Sequence, residues 1–242
     1  LAGGAQANPG TVASMNDTVA SMRERWGDSL LTALTGLLVV MLFVVAPIQA
    51  LGWFVFQAFE LVLAIILVGG VFIVSGSRIA AVAMLGALAM ATVGAILRIK
   101  SPSMLDLNLF AGSWLIMGLT LGWVVARAVF AAGRITYHRV MGAVLLYLTV
   151  AVTFAALFTF VGTLEPKAFA GLSVQDSPAL ASNLIYFSFA TMTTTGYGDV
   201  SPVHPIARSL CNLEAIFGQL YPATLLARLV TLELVDRDRD RP

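Results

Sequence analysis

Six apolar runs dominate the 242-residue chain, at approximately Leu30–Phe54, Phe56–Ser75, Ile79–Leu97, Leu109–Ala132, Val140–Val161 and, more interrupted, Ile206–Leu234. A bilayer core of about 30 Å needs about 20 apolar residues of helix to cross it. The first five runs meet that length outright. Composition agrees, with 59% hydrophobic and only 11% charged residues, against about 25% charged in an ordinary soluble domain. A soluble globule is excluded because it must cover its surface with solvated groups. A disordered chain is excluded because it lacks apolar residues. A net charge of +1 leaves no basic excess to displace counterions, so nucleic acid is not a partner. A single cysteine, Cys211, excludes an intrachain disulfide. The fold class is an all-α integral membrane protein, multi-pass, with lipid as its main surroundings.

The stretches between the runs differ in kind. In residues 1–29, Met15, Val19, Met22 and Trp26 share one helical face, the pattern of a helix lying on a membrane surface. Arg23 and Arg25 followed by an apolar run have the outline of a signal peptide. That run exceeds the usual apolar core of about 7–15 residues, so a retained helix is expected. Leu164–Pro205 holds prolines, glycines, acids and threonines. It is too polar to cross a bilayer and too long for a turn. Irregular backbone at membrane depth is tolerated only when buried in protein or lining a water-filled path.

Six spans with both termini on one side place ten of the 14 basic residues on or near that side, Arg78, Arg127, Arg134 and Arg139 among them. Arg98, Lys100, Lys167 and Arg208 fall on the other. Basic residues concentrate on the cytoplasmic side, so both termini are expected in the cytoplasm and Leu164–Pro205 outside.

Within that segment, Ser177-Pro178 offers an N-cap and a first-turn proline. Ala179–Thr193 reads as a helix, and Thr193-Thr194-Thr195-Gly196-Tyr197-Gly198-Asp199 follows. This order of span, half-helix, glycine-punctuated loop and span resembles the pore of tetrameric potassium channels. In that family four chains surround one axis, and backbone carbonyls replace the hydration shell of K⁺. The resemblance implies a re-entrant pore helix and a filter of Thr194, Thr195, Gly196, Tyr197 and Gly198, with K⁺ as the transported ion and no cofactor. Glycines at 196 and 198 reach backbone angles other residues avoid, so consecutive carbonyls can face one way. Thr194 adds a hydroxyl at the inner end, and Tyr197 turns away from the axis. Asp199 stands just outside the filter, and Tyr186 occupies a position where the family often has an aromatic donor. A Tyr186–Asp199 hydrogen bond is expected. Thr195 departs from the pattern, because the family usually has valine or isoleucine there. Its carbonyl remains available, while its hydroxyl bears on filter rigidity and on K⁺ over Na⁺ selectivity.

The last span carries Gly218, twenty positions after Gly198, where the family's inner helix commonly has a hinge glycine. Pro222 weakens the same stretch, and two breakers one turn apart mark a bend. Close packing against a neighbouring helix explains Gly218 equally well. By resemblance Gln219, Pro222, Ala223 and Leu226 lie near the water-filled cavity, with Leu226 or Val230 as a constriction. Glu214 lies about 140° around the helix from Gln219, so it is expected to face the pore helix or an adjacent subunit. There it supports the filter by a hydrogen bond or, less directly placed, contacts ions.

The resemblance divides the chain into a leader (1–29), a four-helix domain similar to a degenerate voltage sensor (30–132), a linker (133–142), a pore domain (143–235) and a charged tail (236–242). Steep voltage gating needs about 3–4 charges per subunit, each worth about 2.3 kcal/mol per 100 mV. The fourth span carries only Arg127, so strong voltage gating is not expected. Its glycines Gly112, Gly118 and Gly122, and the stripe Ala83, Ala87, Ala91 and Ala95 in the third, suit close helix packing. His138, His204 and Cys211 are separated in sequence and form no catalytic constellation, so an enzyme is not expected. The reading is a homotetrameric, K⁺-selective channel of the plasma membrane. A less selective Na⁺/K⁺ channel and a non-conducting assembly subunit are its alternatives, and no motif names a regulatory ligand.

Overall fold

The computed structural model describes residues 31–52, 65–66, 68–69, 77–100, 103–130, 137–175, 177 and 179–239. Six principal helices and a short ladder follow one another. They are α1 (Leu31–Ala50), α2 (Arg78–Lys100), α3 (Met104–Val129), α4 (Tyr137–Leu164), β1 (Phe169–Ala170), α5 (Leu180–Met192), β2 (Ser201–Pro202) and α6 (Pro205–Arg239). The leader and the expected second span, Phe56–Ser75, lie wholly or largely outside the described residues.

Among the described residues four helices, α1 to α4, are long and apolar enough to cross a membrane. The stretch expected to be the sixth span lies within α6, a helix of 35 residues that is not among those four. Asn212, Glu214, Gln219 and Arg228 make it too polar to be recognised by composition. Its length of about 52 Å, at about 1.5 Å per residue, exceeds a bilayer core.

Local chemistry shapes the helix ends and one irregular turn. Pro47 has no N–H and its ring crowds the preceding turn. α1 widens at Met41–Val45, where the Ala46 amide reaches back to the Met41 carbonyl, the wider closure that relieves such a clash. α3 starts five residues before the expected Leu109. Asp106 Oδ1 accepts from the Ser103 amide at 2.5 Å and from the Ser103 hydroxyl at 3.0 Å, a reciprocal cap that satisfies orphan donors. α4 begins at Tyr137, inside the stretch expected to be linker. Gly142 does not interrupt it, because a Cβ there would sit 3.1 Å from Val129 and the bare backbone packs instead.

Two apolar cores meet along α4. The first joins Leu34, Leu38 and Met41 of α1, Met84 and Ala87 of α2, Leu121 and Val125 of α3, and Leu145 and Leu148 of α4. The small-residue stripe of α2 lies on its packed side, with Ala87 and Ala91 buried. The glycines of α3 work in both directions. A Cβ at Gly112 would press on Met90 of α2, and one at Gly118 would overlap the Thr153 hydroxyl of α4. Thr149, Thr153 and Thr159 turn their hydroxyls to carbonyls four residues back, at 2.7, 2.8 and 3.0 Å, so these polar groups enter the core already satisfied.

The second core gathers Phe154 and Phe158 of α4, Phe169 of β1, Leu184 and Phe187 of α5, and Ala207 and Cys211 of α6. Phe158 is fully buried at its hub. Its ring lies 5.0 Å from that of Phe187 and 5.8 Å from that of Phe169, the tilted and edge-on geometries aromatic pairs favour.

At the opposite end, Arg228 of α6 reaches the last turn of α3. Its guanidinium donates to the Val129 and Phe130 carbonyls at 3.3 and 3.1 Å and lies 5.1 Å over the Phe130 ring. Tyr221 donates to the Ala143 carbonyl at 2.9 Å. α6 is thus joined to the end of α3 and to α4.

Gly118→Ala forces a methyl group against Thr153 and is expected to lower stability by about 1–3 kcal/mol. Gly86, with open space around its Cα, tolerates alanine and gains helix propensity. Thermal unfolding of the two variants in one detergent checks the contrast; equal effects contradict the packing described.

Candidate functional site

α5 buries Leu180, Leu184, Phe187, Ser188 and Met192, a stripe at helical spacing that fastens it to the aromatic core. Its N-terminus differs from expectation. The residue at the helix start is Ala179, no side chain caps it, and the Leu180 amide bonds the main-chain carbonyl of Ser177 at 3.1 Å. A turn, not the Ser177 hydroxyl, starts the helix. Pro178 lies outside the described residues.

At the other end the chain turns back on its own helix. The Thr193 amide reaches Phe189 O, that of Thr194 reaches Thr191 O, and those of Thr195 and Gly196 both reach Ala190 O, all within 2.9–3.1 Å. Beyond that anchor the backbone alternates. Thr194, Gly196 and Gly198 have φ of +55°, +57° and +85°, whereas Thr195 and Tyr197 between them do not. Alternating handedness sets N–H groups on one side of a strand and carbonyls on the other. Residues 193–199 are all exposed on the single chain.

Thr194 is β-branched, and positive φ is costly for such a residue unless its surroundings hold it. They do so here. Its amide is bonded as above, its hydroxyl donates to Thr193 O at 2.7 Å, and Gln219 Nε2 of α6 donates to that hydroxyl at 3.0 Å. The unusual Thr195 has a local partner as well. Its hydroxyl lies 2.8 Å from that of Thr193, and Thr193 gives its own proton to Phe189 O at 2.7 Å. Thr195 is therefore the donor of the pair.

The outer end is tied by side chains. Tyr186 donates to Asp199 Oδ2 at 2.9 Å, so the expected pair is bridged. The Tyr197 ring stacks on that of Tyr186, with centroids 5.8 Å apart. Asp199 Oδ1 accepts from the Val200 amide at 2.9 Å. The ladder then clamps the exit strand, pairing Phe169 with Pro202 and Ala170 with Ser201. Gly171 has φ +79°, and any Cβ there would overlap the Asp199 carbonyl; only glycine lets the two segments meet.

α6 presents two faces. Cys211, Glu214, Gly218 and Tyr221 are buried, while Leu213, Ile216, Leu220, Leu226 and Val230 are exposed. Glu214 is fully buried and faces α5, where the Ser188 hydroxyl is its partner. Gly218 lies one turn further on, and a Cβ there would overlap the main-chain carbonyl of Met192. Of the two explanations for this glycine, close packing is the arrangement present. Gln219 touches Thr194, whereas Pro222 and Leu226 are exposed.

Three participants were not singled out in the sequence. Ser188 has a visible signal, being a polar residue flanked by Phe187 and Phe189 on a buried stripe. Gly171 and Arg228 have none, because their roles depend on segments distant in sequence.

Residues 142–233, which hold α5, the loop and most of α6, match the family model described as ion channel. No curated protein and no solved structure matches the chain. The match, together with the apolar helices, supports an ion channel in general, embedded in a membrane.

Because a backbone carbonyl cannot yield as a flexible side chain does, Gly218→Ala is expected to destabilise the protein by about 1–3 kcal/mol. Pro222→Ala restores a helical N–H and is expected to stabilise it. Thermal unfolding decides: a Gly218→Ala protein of wild-type stability with altered gating alone points to a hinge.

Proposed function

We propose that the chain forms a homotetrameric, K⁺-selective channel of the plasma membrane, conducting passively down the electrochemical gradient, with both termini cytoplasmic. The observation that carries this reading is the alternation of φ at Thr194, Gly196 and Gly198 on a loop whose amides from Thr193 to Gly196 are already spent on the pore helix. That leaves carbonyls on the free side. Carbonyl rings at membrane depth replace the hydration shell of a cation. The C-terminal end of α5, with its partial negative charge, adds to the attraction below the loop. The exposed apolar side of α6, with Leu213, Ile216 and Leu220, suits burial against further copies around the axis. Leu226 and Val230, further inward on α6, are the candidate constriction, with Pro222 as the bending point. Tyr186 and Asp199 brace the outer end of the filter, and Glu214 braces the pore helix from behind. No charged series in α3 accompanies Arg127, in keeping with weak voltage dependence.

Thr195 motivates the second reading, a less selective Na⁺/K⁺ channel. Its hydroxyl is engaged by that of Thr193, which favours carbonyl coordination at this level and hence K⁺.

Flux through the purified protein in liposomes tests these readings together. The expected result is Ba²⁺-sensitive K⁺ flux with a reversal potential near that of K⁺ in mixed Na⁺/K⁺. Thr195→Val is expected to leave the K⁺ preference in place. A reversal potential midway between the two ions supports the less selective channel. A tetramer without flux supports an assembly subunit.

A further inference from the structure

Behind the filter loop, one hydroxyl touches three helices. Ser188 Oγ of α5 lies 2.7 Å from the Ala151 carbonyl of α4 and within hydrogen-bond distance of Glu214 Oε1 of α6. Ser188 and Glu214 are fully buried. A serine hydroxyl has one proton to give and lone pairs to receive others. A main-chain carbonyl only accepts. The Ser188 proton therefore serves Ala151, and the contact with Glu214 needs a proton from the carboxyl.

The surroundings of Glu214 point the same way. Its second oxygen, Oε2, has no hydrogen-bond partner. The titratable groups that interact with it are Tyr147 of α4 and Cys211 of its own helix, and neither can carry positive charge in any state. From α5 it meets the Ser188 hydroxyl. A buried ionised carboxylate without a cationic partner is far more expensive than a neutral acid. A carboxyl that donates once and leaves one weakly accepting oxygen bare is the cheaper arrangement.

We propose that Glu214 is a hydrogen-bond donor, and that the chain Glu214 to Ser188 to Ala151 is a staple setting the pore helix between the inner and outer helices. This rests on the reading of residues 194–198 as the filter. Ser188 lies two residues before Ala190, whose carbonyl anchors the amides of Thr195 and Gly196. Gly218, one turn along α6 from Glu214, receives the Met192 carbonyl. Two consecutive turns of the inner helix thus fix the end of α5 from which the filter strand departs. Ser188 and Glu214 are positioning residues, since neither lies on the exposed face of the loop.

The test uses the full chain reconstituted in liposomes and has two arms. Infrared difference spectra between wild type and Glu214→Gln are expected to show loss of a protonated-carboxyl C=O stretch. Carboxylate stretching bands in its place overturn the donor assignment. In the flux arm, Glu214→Gln supplies an amide donor of the same shape and is expected to keep the wild-type K⁺/Na⁺ ratio. Ser188→Ala and Glu214→Ala are expected to lower that ratio about tenfold, the equivalent of one lost net hydrogen bond. A wild-type ratio in Ser188→Ala overturns the positioning role, as does a Glu214→Gln protein no better than Glu214→Ala. Should the alanine variants fail to assemble, Ser188→Cys, with a weak donor of similar size, is expected to lower the ratio in the same direction, and an unchanged ratio overturns the role. Wild-type protein that carries no flux defeats the channel reading, while the infrared arm still decides the donor.

Discussion

A backbone without helical hydrogen bonds can stand at membrane depth only where protein supplies its partners. Residues 193–200 are irregular backbone between two helices, and the surrounding chain satisfies the polar groups on one side of their first turn. The first amides of the loop are absorbed by the carbonyls at the end of α5, which are themselves orphans of a helix terminus. Each group solves the other's problem. The aromatic cluster around Phe158 holds α5 at the depth this exchange needs, and the two-residue ladder returns the exit strand toward α4.

Much of the precision comes from missing atoms. Gly171 admits the Asp199 carbonyl, Gly218 admits that of Met192, and Gly118 admits the Thr153 side chain. In lipid the hydrophobic effect gives helices little reason to associate, so close approach and satisfied polar groups must do it. Thr149, Thr153 and Thr159 of α4 bond carbonyls of their own helix, while Thr163 reaches Asn108 of α3 at 2.9 Å. Ser188 is a polar residue placed where three helices converge.

What the sequence revealed was whatever depends on near neighbours. Hydrophobic run length located α1, α2, α4 and, within a few residues, α3. The glycine-tyrosine-glycine loop marked the candidate site, and the angular offset of Glu214 from Gln219 sent it toward α5, whose Ser188 it meets. Boundaries failed where a local exchange competed. Ser177 looks like a cap, yet its main-chain carbonyl is what engages Leu180. Ser103 and Asp106 extended α3 through a reciprocal bond that hydropathy ignores. Gly218 was ambiguous because a hinge and a close contact ask for the same residue, and only the position of Met192 separates them. Gly171 was invisible, since the carbonyl it accommodates lies 28 positions downstream.

The junction made by Arg228 has an asymmetry of its own. Its two hydrogen bonds end on the main-chain carbonyls of Val129 and Phe130, which every amino acid possesses. On the α3 side, these bonds are therefore indifferent to side-chain identity and sensitive only to where the helix stops. On the α6 side they demand a planar fork that lysine does not provide. Lengthening or shortening α3 by one residue rotates its terminal carbonyls by about 100° and unhooks α6, although no residue that touches it has been exchanged.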